Sequence, residues 1–159
     1  MICWIFLRLL LVTRLSLLKM ASRRKARELA LQMLFQWEQG KHPPHHVIST
    51  FLLARQAEPE VEQFAQALFE GTIGEVEELD RRIRGQAEHW RLERMAAVDR
   101  NLLRLALFEL LHYPETPPAV VINEALEIAR RFSDKDSVDF VNGVLDAIRK
   151  GLPSAKSEK

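Results

Sequence analysis

The chain has 159 residues, 47% apolar and 28% charged, with one cysteine, six glycines, seven prolines and a formal net charge of +1. That length suits one compact domain, able to bury a core without a disulfide framework or a Cys-rich zinc module. The balance excludes a disordered tail, a multi-span membrane protein, a collagen-like chain and a binder acting through bulk positive charge.

Residues 1–20 stand apart. Fifteen of the 20 are apolar, and they carry Arg8, Arg14, Lys19 and Cys3 but no acid. Without them 20 basic residues face 22 acidic ones, a net charge of −2. As a helix, residues 2–18 would reach about 25 Å, short of a ~30 Å hydrocarbon core, and two internal arginines oppose insertion. No basic region precedes the apolar run and no A-x-A cleavage site follows it, so a signal peptide fits poorly. Residues 1–19 read as a start-site artefact ahead of Met20-Ala21-Ser22. An apolar leader or interfacial anchor and a real structural element are the alternatives.

The spacing predicts a helix over 22–39, with Ser22 as N-cap and Gly40 just past its end. Ala26, Leu29, Ala30, Met33, Leu34 and Trp37 form its apolar stripe. Residues 41–46 read as a turn and about 46–57 as a short helix. Pro59 opens a long helix to about Arg84, with Phe64, Ala65, Leu68, Phe69, Ile73, Val76, Leu79 and Ile83 inward. Gly71 and Gly74 mark a kink or break in it. The next helix, about 92–113, is apolar nearly all round: from Leu102 to Leu111 only Arg104 and Glu109 are charged. Such a helix belongs at the centre of a bundle. Pro114, Pro117 and Pro118 end it. Residues 118–132 follow as a helix with Val121, Ile122, Ala125, Ile128, Ala129 and Phe132 on one face. The last helix starts at Ser133 or Asp134, runs to about Lys150 and buries Val141, Val144, Leu145 and Ile148. Residues 151–159 are a polar tail. No stretch alternates with period two, so the fold is expected to be all-α, a bundle of about seven helices in one domain over 20–150.

No catalytic constellation assembles from these residues. Gly71-Thr72-Ile73-Gly74 lacks the Gly-Lys-Ser/Thr of a phosphate loop. His42, His45 and His46 have no carboxylate or cysteine at ligand spacing, so neither metal nor cofactor is expected. The segment Arg23-Arg24-Lys25-Ala26-Arg27 is different. It sets four cations at the start of the predicted helix, where the dipole disfavours them. Polyanion binding would explain them, and a solvated basic terminus is the alternative. Phe35, two turns beyond Arg27 and off the main stripe, either stacks on an unpaired base or packs in the core. Arg81, Arg82 and Arg84 end a helix whose dipole favours cations there. Glu93 and Asp99, at the start of the central helix, either offset its dipole or form an acidic patch for a basic partner.

Four stretches together carry a resemblance. They are Arg23-Arg24-Lys25-Ala26-Arg27-Glu28 leading into Ala30-Leu31-Gln32; Val98-Asp99-Arg100-Asn101-Leu102-Leu103-Arg104-Leu105-Ala106; Val121-Ile122-Asn123-Glu124-Ala125; and Phe140-Val141-Asn142-Gly143-Val144-Leu145-Asp146. In this order and spacing the chain resembles the NusB family of bacterial transcription antitermination factors over about residues 21–150. The resemblance implies an all-helical fold in two packed subdomains and a cytoplasmic, non-enzymatic role. That role is binding boxA RNA together with NusE, a small-subunit ribosomal protein. The pair then joins the elongating RNA polymerase with other Nus factors, notably on ribosomal RNA operons. No cofactor, metal or small-molecule substrate is implied, and a homodimer stays open.

The resemblance also implies RNA contacts at Arg23, Arg24, Lys25, Arg27, Phe35, Asp136 and Phe140, and NusE contacts at Glu93 and Asp99. Lys25 stands where arginine is common, which removes a bidentate fork. Phe35 stands where tyrosine is common, which keeps the stacking face. A slightly acidic chain suits RNA if its cations gather at one end and its acids meet a basic partner. Two other readings remain. One is a helical adaptor without RNA. The other is the NusB-like domain found in some ribosomal RNA cytosine methyltransferases, which needs a Rossmann-like domain downstream.

Overall fold

Neither glycine nor proline interrupts residues 1–39, and the chain there forms one long helix, α1 (Ile2–Gly40). The computed structural model describes residues 2–87 and 92–152, with side chains from residue 17 onward. The predicted N-cap at Ser22 is therefore overturned. Leu17, Leu18, Lys19, Met20 and Ala21 are helix-compatible, and a serine offers a cap without forcing the chain out of the helix. One consequence is electrostatic. The basic cluster begins about six turns inside α1, and the helix dipole acts only within the first turn. The expected dipole penalty on those cations disappears. Leu17 and Leu18 are exposed, and no helix among the described residues is long and apolar enough to cross a membrane. Residues 88–91 and the tail from residue 153 lie outside the described residues.

After α1 come α2 (Pro44–Arg55), α3 (Pro59–Gly74) and α4 (Val76–Gln86). Pro44 and Pro59 open their helices, where the missing N–H costs nothing. The long helix expected from Pro59 to Arg84 does break, at Glu75. Gly71 has a separate role. A Cβ there would come within 2.0 Å of Phe108 Cζ, so its bare backbone lets α3 approach the ring.

The central helix is shorter than expected. A 3-10 turn (Leu92–Arg94) precedes it, and α5 (Ala97–His112) begins only after Ala96. Then come α6 (Pro118–Phe132) and α7 (Lys135–Gly151), both close to expectation. Asp134 caps α7 by accepting a hydrogen bond from the Ser137 backbone N–H at 2.8 Å.

The helices form two groups, α1–α3 and α4–α7, and α5 packs against both. Every residue from Asn101 to Glu109 is buried, so α5 is the shared wall of one continuous core. Ala26 and Ala30, both fully buried, let α1 lie close against α3.

Polar residues cross this core in linked ion pairs. Arg104 on α5 binds Asp80 of α4 through two bonds of 2.6 and 2.7 Å and reaches Glu38 of α1 at 3.1 Å. Glu38 also accepts bonds from Arg100 and Asn101. Each charge removed from water here has a hydrogen-bonded counter-charge, the condition under which burial of charge is tolerated.

Candidate nucleic-acid interface

The basic cluster divides once it is placed on α1. Arg27 is 5% exposed. Its guanidinium donates two bonds to Glu109 of α5, at 2.8 and 2.5 Å. In the RNA-free protein its bidentate face is therefore spent on a buried carboxylate, away from the surface expected to meet RNA. Its register is the reason: residues 27, 30, 31 and 34 share one helix face, and the other three are buried.

Arg24, three residues earlier, lies at the rim. It donates two bonds of 2.7 Å to Glu124 of α6, and its side chain keeps 41% exposure. The pair holds the Glu124 carboxyl below the usual glutamate range, chiefly through the hydrogen bond from Arg24. Glu124 Oε2 also lies 3.9 Å from Arg27, so one carboxylate orients two arginines. Arg23 turns toward α3, its guanidinium 4.2 Å from the centre of the Phe64 ring, a cation–π distance. Lys25 is exposed.

The same side of the molecule holds residues that the sequence reading did not select. Arg131, at the end of α6, bonds Glu28 of α1 and leaves 62% of its side chain in solvent. Arg130 beside it pairs with Glu127 and is also exposed. Both sit in the last turn of α6, where the dipole favours cations. Phe132 was expected on the core face of its helix and is instead 44% exposed. It is the last residue of α6, where the stripe outruns the surface it packs against. Phe35 is 40% exposed, which favours a stacking surface over a core position. Phe35 and Phe132 line one groove between α1, α2 and the end of α6.

On α7, Asp136 is exposed in the first turn, and Phe140 one turn later is half-buried against the core. The Asp134 cap fixes where that first turn begins.

The two acids expected to face a basic partner separate. Asp99, in the first turn of α5, is 5% exposed and accepts a bond from the Ser133 hydroxyl. It ties the start of α5 to the end of α6 and is held within the chain in the absence of a partner. Glu93 lies in the 3-10 turn instead of α5. It is exposed and bonded to Arg84 at 2.8 Å. Arg81 and Arg82 pair with Glu78, whose carboxyl these two bonds hold at about 2. The second basic group is thus matched by acids along its own helix and the following turn. Among the described residues no group of His, Cys, Asp and Glu is arranged to hold a metal ion.

The arrangement offers cations at a rim and exposed aromatic rings beside them, and no nucleophile–base pair is found among the described residues. It suits binding of a phosphate backbone with bases that stack.

Comparison with known proteins points the same way. The model of the NusB family matches residues 24–150. The transcription antitermination protein NusB of Koribacter versatilis is 53% identical over 143 residues, covering 89% of this chain and 98% of its own. The structure of T. maritima NusB superposes with a TM-score of 0.75 at 35% identity, over 80% of this chain and 90% of that one. A crystal structure of antitermination factors NusB and NusE in complex with dsRNA superposes with a TM-score of 0.76 at 26% identity, over 83% and 98%.

Proposed function

The chain belongs to the NusB family, and from that premise we propose that it is a transcription antitermination factor. It binds boxA-type RNA together with the ribosomal protein NusE and joins the elongating RNA polymerase in the cytoplasm. It does so as a binding adaptor, without a catalytic step. Residues 20–150 form the working domain.

The observation that carries this reading is the run of exposed cations and rings along α1 and the end of α6, from Arg24 and Lys25 past Arg131, which bonds Glu28, to exposed Phe35 and Phe132. The relative solved with NusE and RNA supports it at the level of the whole fold. In this reading Arg24, Lys25 and Arg131 meet phosphates, Phe35 and Phe140 present ring faces to bases, and Asp136 sits where a base edge can donate to it. Arg23 and Arg27 support that surface from below, on Phe64 and on Glu109.

Lys25 gives the cleanest test of the phosphate contacts, since no buried partner is orphaned by its loss. Lys25→Ala is expected to lower the slope of log K against log salt by about 0.7 for single-stranded RNA. Its stability should stay within about 0.5 kcal/mol of wild type. Fluorescence anisotropy with boxA RNA across a salt series measures the slope. An unchanged slope removes Lys25 from the contact set.

The protein-partner face is tested by charge reversal at the exposed acid. Glu93→Lys is expected to weaken NusE binding by at least tenfold in calorimetry while leaving the unfolding midpoint in place. Asp99→Lys is expected to lower the midpoint first, because it buries an ammonium and breaks the Ser133 bond. If Glu93→Lys binds NusE as wild type does, the acidic contact lies elsewhere.

A further inference from the structure

Two ion pairs link α1 to α6, and they run in opposite senses. Arg24 of α1 bonds Glu124 of α6 through Nε and Nη2, and Arg131 of α6 bonds Glu28 of α1 through Nη1. Residues 24 and 28 lie one turn apart on α1, and residues 124 and 131 two turns apart on α6, so each couple shares a helix face. In both pairs the acid is the sheltered member. Glu124 and Glu28 keep 7% and 17% of their side chains in solvent, against 41% and 62% for their arginines. Other pairs among the described residues lack this asymmetry. Glu78, Glu93, Glu127 and Asp146 are open to solvent like the arginines they bind, and Arg27 with Glu109 and Arg104 with Asp80 are sheltered on both sides.

The asymmetry leaves donors facing outward. A guanidinium carries five N–H donors in a rigid fork. Glu124 takes the Nε–Nη2 edge of Arg24, so the Nη1 side of the fork is turned away from the carboxylate while the side chain stays half in solvent. Glu28 takes one amino group of Arg131 and leaves the rest of that fork outside the pair. An arginine needs no acid to stay at a surface. A negative charge this close to a phosphate contact even opposes RNA by repulsion. What the acid supplies is order: a free arginine samples many rotamers and loses them on binding, whereas a held one has lost them already.

We propose that Glu124 and Glu28 are positioning residues for RNA binding, each holding the guanidinium of its arginine across the α1–α6 seam with a free donor edge turned outward for a phosphate. This rests on the RNA reading above. It gives two acids a part in binding a polyanion, and neither of them touches it. The two pairs also tie the cation of one helix to the acid of the other, so α1 and α6 must keep their relative register for either arginine to be in place.

The test turns on a sign. Glu124→Gln removes a negative charge beside the phosphate contacts and keeps the shape of the side chain. Charge alone predicts tighter binding of boxA RNA. Positioning predicts weaker binding, by about fivefold, the order expected when one rotamer-rich side chain must be ordered on binding. Affinity is measured by fluorescence anisotropy with NusE present, for wild type, Glu124→Gln, Arg24→Ala and the double variant. The temperature is one at which circular dichroism shows all four folded. Without Arg24 there is no guanidinium left to hold, so Glu124→Gln should no longer weaken binding in that background. Tighter or unchanged binding by Glu124→Gln overturns the proposal. So does a loss that persists in the Arg24→Ala background, or an equal loss of NusE binding without RNA, since either marks a general structural effect. If a variant of this cycle does not fold, Glu28→Gln with Arg131→Ala, whose carboxylate is less buried, runs the same cycle and the same outcomes decide. Failure of wild type to bind boxA RNA at all overturns the RNA reading itself, and the positioning role with it.

Discussion

Replacing Arg104 with alanine is expected to destabilise the protein by about 3–5 kcal/mol, because it strands a buried carboxylate. Asp80 is 9% exposed and receives both of its strong bonds from Arg104. Glu38 loses one partner but keeps Arg100 and Asn101. The effect therefore falls mainly on the join between α4 and α5. Urea unfolding should show a lower midpoint with an unchanged m-value. Exchanging both partners for apolar residues, Arg104→Met with Asp80→Leu, should recover most of the loss, as expected when the cost lies in an unpaired charge. A loss below about 1 kcal/mol for Arg104→Ala would show that water reaches Asp80.

The same network sets part of the acid response. Burial alone would raise the Glu38 carboxyl, but bonds from Arg100 and Asn101, with the charge of Arg104, outweigh it and hold it below the ordinary glutamate range. A depressed folded-state value stabilises above the unfolded value, and that share is lost as pH falls through the folded value. Removing Arg104 lessens the depression. The variant should therefore lose less of its remaining stability than wild type does between neutral and acidic pH.

Arg104 and Glu109 also show how far the sequence reaches. Period 3.6 placed α6 and α7 within a residue or two, because each has one apolar stripe and a proline or capping acid at its start. It also placed α5 at the centre, because only a central helix is apolar all round. The two charges on that helix were visible as anomalies. Their partners were not, since Asp80 is 24 residues away and Arg27 is 82. Pairings at that separation depend on how helices cross, and no local spacing encodes them.

The candidate site divides along the same line. Its basic cluster and Phe35 were legible as a pattern. The contributions of Glu124, Arg131 and Phe132 were not, because they come from α6, which meets α1 only in the fold. The burial of Arg27 was legible in principle. It shares a face with Ala30, Leu31 and Leu34, and a cation in that register is either a misfit or a buried pair. Reading the cluster as one unit concealed it. Ser22 misled for a different reason: a capping residue marks where a helix can begin, and nothing before it stops the helix from beginning earlier.

Arg27 is where fold and function are most easily confused, and a pair of measurements separates them. Arg27→Ala is expected to cost about 3–5 kcal/mol, since Glu109 is 1% exposed and would keep an uncompensated charge in the core. It should also reduce apparent RNA binding, simply by reducing the folded fraction. A loss of RNA binding in that variant alone therefore says nothing about contact. The double variant Arg27→Met, Glu109→Leu removes the charge from both sides and should restore most of the stability. If Arg27 acts only from inside, the refolded double variant binds boxA RNA with the wild-type salt slope, whereas Lys25→Ala does not. If instead the slope of the stable double variant falls by about 0.7, Arg27 leaves Glu109 to meet a phosphate in the complex. Burial in the RNA-free protein would then be the resting half of an exchange between two anions.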